Sequence, residues 1–144
     1  MNSIVLVSGG FDPIHSGHIK LIEEASIYGN VVVLLNSDKW LQNKKGKAFL
    51  PFEERKIIMH ALKKVIDVIK CGEVDTTCID GIKNVLKKYP DNKIKFANGG
   101  DRNNNSTPET VFCEKNEIEL LWGIGGENKS NSSSWILKKW IQKS

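Results

Sequence analysis

The sequence predicts an α/β protein: a Rossmann-like three-layer sandwich in which a five-stranded parallel sheet carries helices on both faces. Short, β-rich apolar runs alternate with longer stretches of helical period along the chain. The segments between successive runs hold helices of ten or more residues, so the crossovers are right-handed and the strands parallel. The strand segments are apolar nearly throughout, as in a sheet covered on both faces.

Taken in order, SIVLVS (residues 3–8) reads as a buried strand, and residues 19–28 as a helix with apolar positions at Ile19, Leu21, Ile22 and Ala25. NVVVLLN (30–36) is a second buried strand, followed by a polar, lysine-rich loop, NSDKWLQNKKGKAF. PFEERKIIMHALKKV (51–65) has proline in its first turn, acids next and lysines last, which suits the helix macrodipole. IDVIK (66–70) is a third strand, and TCIDGIKNVLKKYP (77–90) a helix stopped by Pro90. NKIKFAN (92–98) is a fourth strand, TPETVFCEKN (107–116) a short helix and EIELLWG (117–123) a fifth strand. SNSSSWILKKWIQK (130–143) closes as a helix capped by serine or asparagine.

At 144 residues with 40% apolar and 26% charged content, the chain fits one domain spanning residues 1–144, with a substantial core. No internal repeat or low-complexity tail divides it. The formal charge of +4 suits an anionic small molecule as well as a polynucleotide. No pattern of basic and aromatic residues emerges, so no nucleic-acid partner is expected. Cys71, Cys78 and Cys113 are odd in number and lack CxxC spacing, which reads as free thiols in a reduced compartment. No charged leader precedes an apolar stretch, and the longest apolar run, VVVLL, is far too short to span a bilayer. The expectation is a cytoplasmic protein with no membrane partner.

In parallel sheets ligands bind beyond the carboxyl ends of the strands, so the segments that follow strands are the informative ones. GGFDPIHSGH follows the first strand, NGGDRNN the fourth and GIGGENKSNSSS the fifth. The first contains neither GxGxxG nor GxxxxGK[ST]. It carries His15 in the turn and His18 in the first helical turn, with Gly17 between them. Two imidazoles beside a helix amino terminus can donate hydrogen bonds to phosphate oxygens whose charge grows as a nucleophile attacks phosphorus. A metal reading, HxxH with Asp12 as third ligand, lacks a supporting cysteine or Glu-x-x-His partner. His60 reads as a helix-surface or core-edge residue.

Asn131, Ser132, Ser133 and Ser134 offer more oxygens than one helix cap needs, and the surplus suggests a triphosphate at that helix terminus. Lys44, Lys45 and Lys47 form a solvated loop able to close over phosphates. In the NGGDR turn, Gly99, Asp101 and Arg102 are candidates for a ribose hydroxyl, a metal-bound water or an acceptor phosphate. Trp122, Trp135 and Trp140 read as core or interface packing.

GGFDPIHSGH closely resembles the signature of the cytidylyltransferase-like nucleotidyltransferases. These carry HxGH after the first strand and an ISSTxxR-like motif opening the last helix, and the resemblance runs from Ile4 to Ile141. It implies that the α-phosphorus of a nucleoside triphosphate is attacked by the phosphate of an acceptor, with Mg2+ assisting and pyrophosphate leaving. It places His15 and His18 on the triphosphate, Ser132 to Ser134 on its β and γ phosphates, and Lys44 or Lys47 on phosphates of either substrate. Gly9, Gly10 and Phe11 would line the nucleotide, and Asp12 would orient the metal or the histidines. The closing motif departs from the family at Asn131, Ser134 and Leu137, with Lys138 or Lys129 as substitute charges.

LNSDKWLQNKKGKAFLPFEER and the later GGD are more similar to the heptose 1-phosphate adenylyltransferase branch, which uses ATP. The glycerol-3-phosphate cytidylyltransferases, which use CTP, are the alternative; phosphopantetheine adenylyltransferases, with threonine at the place of His15, rank lower. The acceptor would then be a phosphorylated sugar or polyol feeding glycan or cell-envelope synthesis, and the family resemblance implies a homodimer. The expectation of another class is a non-catalytic nucleotide-binding sensor.

Overall fold

The structure is a computed structural model that describes residues 2–98, 107–125 and 133–142. Its elements run β1 (Ser3–Gly9), α1 (Ser16–Ala25), β2 (Asn30–Asn36), α2 (Asp38–Lys45), α3 (Phe52–His60), β3 (Val65–Cys71), α4 (Ile79–Lys88), β4 (Lys93–Ala97), α5 (Pro108–Lys115), β5 (Glu119–Leu121) and α6 (Ser133–Ile141). All strand pairs are parallel, in the order β3-β2-β1-β4-β5. The chain therefore winds outward from β1 in one direction and returns to its other side with β4. The carboxyl end of β1 is the point where a crevice opens.

Because side chains alternate across a strand, each strand feeds two cores. Val5, Val7, Val31, Val33 and Leu35 face one side, where they pack with Ile22 and Ala25 of α1 and Phe52 and Met59 of α3. Ile4, Leu6, Val32 and Leu34 face the other, against Ile82 and Val85 of α4 and Cys113 of α5. Both positions of the alternation are buried in β1 and β2, so the sheet is sandwiched between helix layers as the sequence predicts.

The boundaries differ for identifiable reasons. Helix α1 begins at Ser16 rather than Ile19, because His15 serves as its cap. The lysine-rich segment is partly helical: Ser37 caps α2 by accepting from the Trp40 amide at 3.0 Å, and Gly46, at φ +91°, ends it. Helix α3 stops at His60, five residues short of the expected end, because Val65 is drawn into β3 opposite Val31. Pro51 is the residue preceding α3, and His60 is exposed at its end. Strand β5 is only three residues long, starting after Glu117, whose φ of +59° breaks extended backbone. The three cysteines are free and buried. Trp140 is 79% exposed rather than part of the core, and the Trp135 side chain lies outside the described residues. Among the described residues no helix is long and apolar enough to cross a membrane.

Candidate active site

Strand β1 delivers Gly9 and Gly10 to the crevice, and the chain then turns sharply. A Cβ at Gly10 would lie 2.9 Å from a Leu41 methyl, so the bare backbone is what lets α2 pack against the turn. Phe11 follows in the left-handed region, at φ +49°, with its ring buried in the core. That conformation costs about 1–2 kcal/mol for a residue with a Cβ, and burial of the aromatic ring offsets it.

Asp12 is 2% exposed, and its carboxylate binds the chain that comes after α2. One oxygen accepts from the Leu50 amide at 2.7 Å, and the other accepts from the Phe49 amide at 2.6 Å and faces Lys45 Nζ at 3.1 Å. Lys45 also donates to the Asp12 carbonyl at 2.8 Å. The carboxylate expected to orient a metal or the histidines thus folds the segment after α2 onto the β1 turn. Among the described residues no three metal-ligating side chains converge. With Asp12 already taken up by amides and an ammonium, the described residues do not form a cage for a resident ion.

The two histidines build the start of α1 on themselves. His15 Nδ1 accepts from the Gly17 amide at 3.1 Å, and His18 Nδ1 accepts from the His15 amide at 3.2 Å. One of the first helical amides is therefore taken by a ring and is not available to an anion. The consequence is a fixed tautomer: with Nδ1 accepting, the proton of each neutral ring sits on Nε2, which is a donor. The rings stack with centroids 3.8 Å apart, and Phe11 meets His18 edge-on at 4.6 Å. His18 lines the crevice; His15 supports it from behind through that stack.

Burial, with the neighbouring His15 charge, lowers the His18 ring from its ordinary 6.5 to about 4. At neutral pH the ring is therefore an uncharged Nε2–H donor. The folded pKa lies below the unfolded one, so this group's contribution to stability is fully present above pH 6.5 and is lost as pH falls toward about 4. After allowance for solvent screening the loss is about 1–2 kcal/mol. Urea midpoints compared at neutral and mildly acid pH test this. The wild type is expected to lose more stability on acidification than His18→Gln, and equal losses would contradict it.

Around these groups a cleft of about 340 Å³ opens at the carboxyl ends of β1 and β2. Gly9, Gly10, Phe11, Asp12, His18, Lys44 and Ser133, all singled out in the sequence, line it together. Ser133 Oγ donates to the Pro13 carbonyl at 2.6 Å, which ties the start of α6 to the histidine turn. Lys44 Nζ lies 4.8 Å from the Trp40 ring centre, at the rim. Lys47 does not line this cleft but borders a second cavity of about 610 Å³ between the loop after α2 and α6, with Phe49 and Trp140. Gly99, Asp101, Arg102, Asn131 and Ser132, the side chain of Ser134, and Lys129 lie outside the described residues.

Beside the cleft, Arg55 ties several of these segments together, and the sequence reading passed over it. Arg55 of α3 is 1% exposed. Its guanidinium donates to the carbonyls of Leu50, Gly10 and Asn36 at 2.9, 3.1 and 2.7 Å, and to Asp38 Oδ1 at 2.7 Å. It joins the ends of β1 and β2 to the start of α2 and the loop before α3. The signal was available: an arginine in a helix whose Phe52 and Met59 are buried on the same side must satisfy its donors inside the protein. Lys45, which the sequence placed in the loop able to close over phosphates, also lines the cleft, as do Asn36, Trp40, Cys78 and Glu109, which were not among the sequence candidates for catalysis or binding.

A family model described as cytidylyltransferase-like matches residues 6–128, a span that includes the histidine turn and the cleft floor. The chain belongs to the cytidylyltransferase-like family. The names of its relatives include a cytidylyltransferase and an adenylyltransferase. The chain is 39% identical over 66 residues to a glycerol-3-phosphate cytidylyltransferase of Bacillus subtilis, covering 45% of this chain and 51% of that protein. It is 31% identical over 151 residues to the bifunctional protein HldE of Syntrophotalea carbinolica, covering 97% of this chain but 28% of that protein. A phosphopantetheine adenylyltransferase of Vesicomyosocius okutanii is 29% identical over 146 residues, with 88% and 89% covered. The chain thus spans about half of the first of these relatives and under a third of the second. Among solved structures, the lipopolysaccharide core biosynthesis protein from Thermoplasma volcanium superposes with a TM-score of 0.64 at 22% identity, over 85% of this chain and 96% of that one, so the two share a fold.

Proposed function

We propose that this member of the family is an enzyme that transfers the nucleoside monophosphate unit of ATP or CTP to the phosphate of a phosphorylated sugar or polyol. An acceptor phosphate oxygen attacks the α-phosphorus, the bond from that phosphorus to the bridging oxygen breaks, and pyrophosphate leaves with the electron pair. The observation that carries the reading is the paired histidine cap, which holds His18 as a neutral Nε2–H donor facing the cleft. Phosphoryl chemistry of this kind asks the protein for positioning and charge stabilisation more than for covalent work. As negative charge gathers on the phosphate oxygens, the same anion opposes the burial that keeps the ring neutral, so the donor strengthens when it is needed. Lys44 and Lys45 at the rim supply positive charge.

Magnesium belongs to this proposal as the ion that travels with the triphosphate, in keeping with its preference for phosphate oxygens and retained waters. A heptose 1-phosphate-like acceptor is favoured by the resemblance of LNSDKWLQNKKGKAFLPFEER and the later GGD to that branch, and glycerol 3-phosphate is the alternative, which the glycerol-3-phosphate cytidylyltransferase match supports. A cytoplasmic homodimer completes the proposal.

Pyrophosphate release tests it, with ATP and with CTP, each with magnesium, against heptose 1-phosphate and glycerol 3-phosphate. Release that requires one nucleotide and one acceptor is the expected result. Tight nucleotide binding without release under any acceptor would replace the enzyme with a nucleotide sensor.

A further inference from the structure

The cleft contains a carboxylate and a carboxamide that the phosphate chemistry leaves unused. Glu109, at the start of α5, lines the cleft, and its one hydrogen bond among the described residues is a long one, accepted by Oε2 from the Cys78 thiol at 3.7 Å. Asp12, the other carboxylate of the cleft wall, is occupied by two amides and Lys45. Asn36, at the end of β2, is 5% exposed and also lines the cleft. Its Oδ1 accepts from the Cys71 thiol at 3.2 Å. Contact with Cys78, followed by burial, raises that thiol above its ordinary range, so it keeps the proton that it donates to Oδ1. Asn36 Nδ2 then makes no hydrogen bond among the described residues. That nitrogen opens onto the cleft without a partner among the described residues, which leaves it able to donate to a ligand acceptor.

A phosphate would be repelled by Glu109, so this wall does not suit a phosphate group. A hydroxyl both donates and accepts, and Glu109 with Asn36 offers one acceptor and one donor. The indole of Trp40, anchored by its Nε1–H to the Thr76 carbonyl at 2.8 Å, supplies an adjoining apolar surface. We infer that Asn36 and Glu109 read the hydroxyl groups of the acceptor and so determine its specificity. This rests on the transfer reaction proposed above. In-line displacement brings the acceptor in from the side opposite the departing pyrophosphate. With the pyrophosphate held at the histidine turn and Ser133, the acceptor approaches along the wall that carries Asn36, Trp40 and Glu109.

The test compares wild type, Glu109→Gln and Asn36→Asp, each isosteric with the native side chain. Acceptors are glycerol 3-phosphate, heptose 1-phosphate and n-propyl phosphate, which keeps a phosphate and a carbon chain but has no hydroxyl. Glu109→Gln should raise the KM of the hydroxylated acceptor by about tenfold or more, with the nucleotide KM within about twofold of wild type. The preference over n-propyl phosphate should shrink by the same factor, and Asn36→Asp should act in the same direction. An unchanged acceptor KM, or a rise in nucleotide KM alone, overturns the inference while leaving the transfer reaction standing, provided His18→Ala still lowers turnover by about a hundredfold or more. If wild type turns over none of these acceptors, the transfer reading fails for them, and calorimetric titration of each acceptor decides this inference separately. Binding weakened about tenfold by Glu109→Gln supports it, and equal binding, or none to wild type, overturns it.

Discussion

His18→Ala is expected to lower turnover by about a hundredfold to a thousandfold, the usual effect of removing one preorganised donor from a developing oxyanion. The reason is specific to this turn. His18 is the histidine that lines the cleft, and its Nδ1 is engaged by the His15 amide, so Nε2–H is the end available to a phosphate. Removing the ring also removes a cap acceptor and the stack with His15, at a cost of about 1 kcal/mol, which leaves the protein folded. His18→Gln, whose side-chain amide still donates, should recover part of the lost rate. The measurement is steady-state turnover beside a denaturation midpoint for each variant. Full activity in a folded His18→Ala protein would contradict the role given to this ring.

Arg55→Ala should produce the largest loss of stability, about 3–5 kcal/mol. The substitution strips three carbonyls of a charged donor at once and leaves Asp38 without its cation. For a chain of this size the melting temperature should fall by on the order of 10 °C. Arg55→Lys should rescue little, because a single ammonium cannot reproduce a planar fork that spans Gly10, Leu50, Asn36 and Asp38. Nucleotide affinity should fall with stability, since Gly10 and Asn36 both line the cleft. A loss below about 1 kcal/mol would place Arg55 among ordinary surface pairs instead.

The sheet was legible because burial on both faces leaves a plain trace: VLV in β1 and VVVLL in β2 are apolar at every position, and no half-exposed strand reads that way. Helix α2 was not legible as a helix because its polar surface resembles a loop. Its cap residues, Ser37 and Gly46, carried the information and were outweighed by the lysines. The histidine turn stood out because titratable rings at glycine positions have few structural uses. What spacing alone did not reveal was that the rings cap their own helix, which removes an amide from the ligand and fixes the tautomer in return. Asp12 shows what local spacing leaves out. A carboxylate beside two histidines suggests a metal, yet its contacts are backbone amides some forty residues away in sequence, which no local pattern records. Asn36 and Glu109 line the cleft and Arg55 holds the Gly10 and Asn36 carbonyls beside it, from three separate elements that only the order of the strands brings together.

The most direct measurement follows the label from a nucleoside triphosphate marked at its α-phosphorus or at its γ-phosphorus, in the presence of a phosphorylated sugar or polyol. Transfer of the nucleotidyl unit predicts that the α label appears in the acceptor conjugate and the γ label in pyrophosphate, both at a rate that collapses in His18→Ala. A γ label recovered on the acceptor or as inorganic phosphate, with the α label left in nucleoside diphosphate, would contradict nucleotidyl transfer outright.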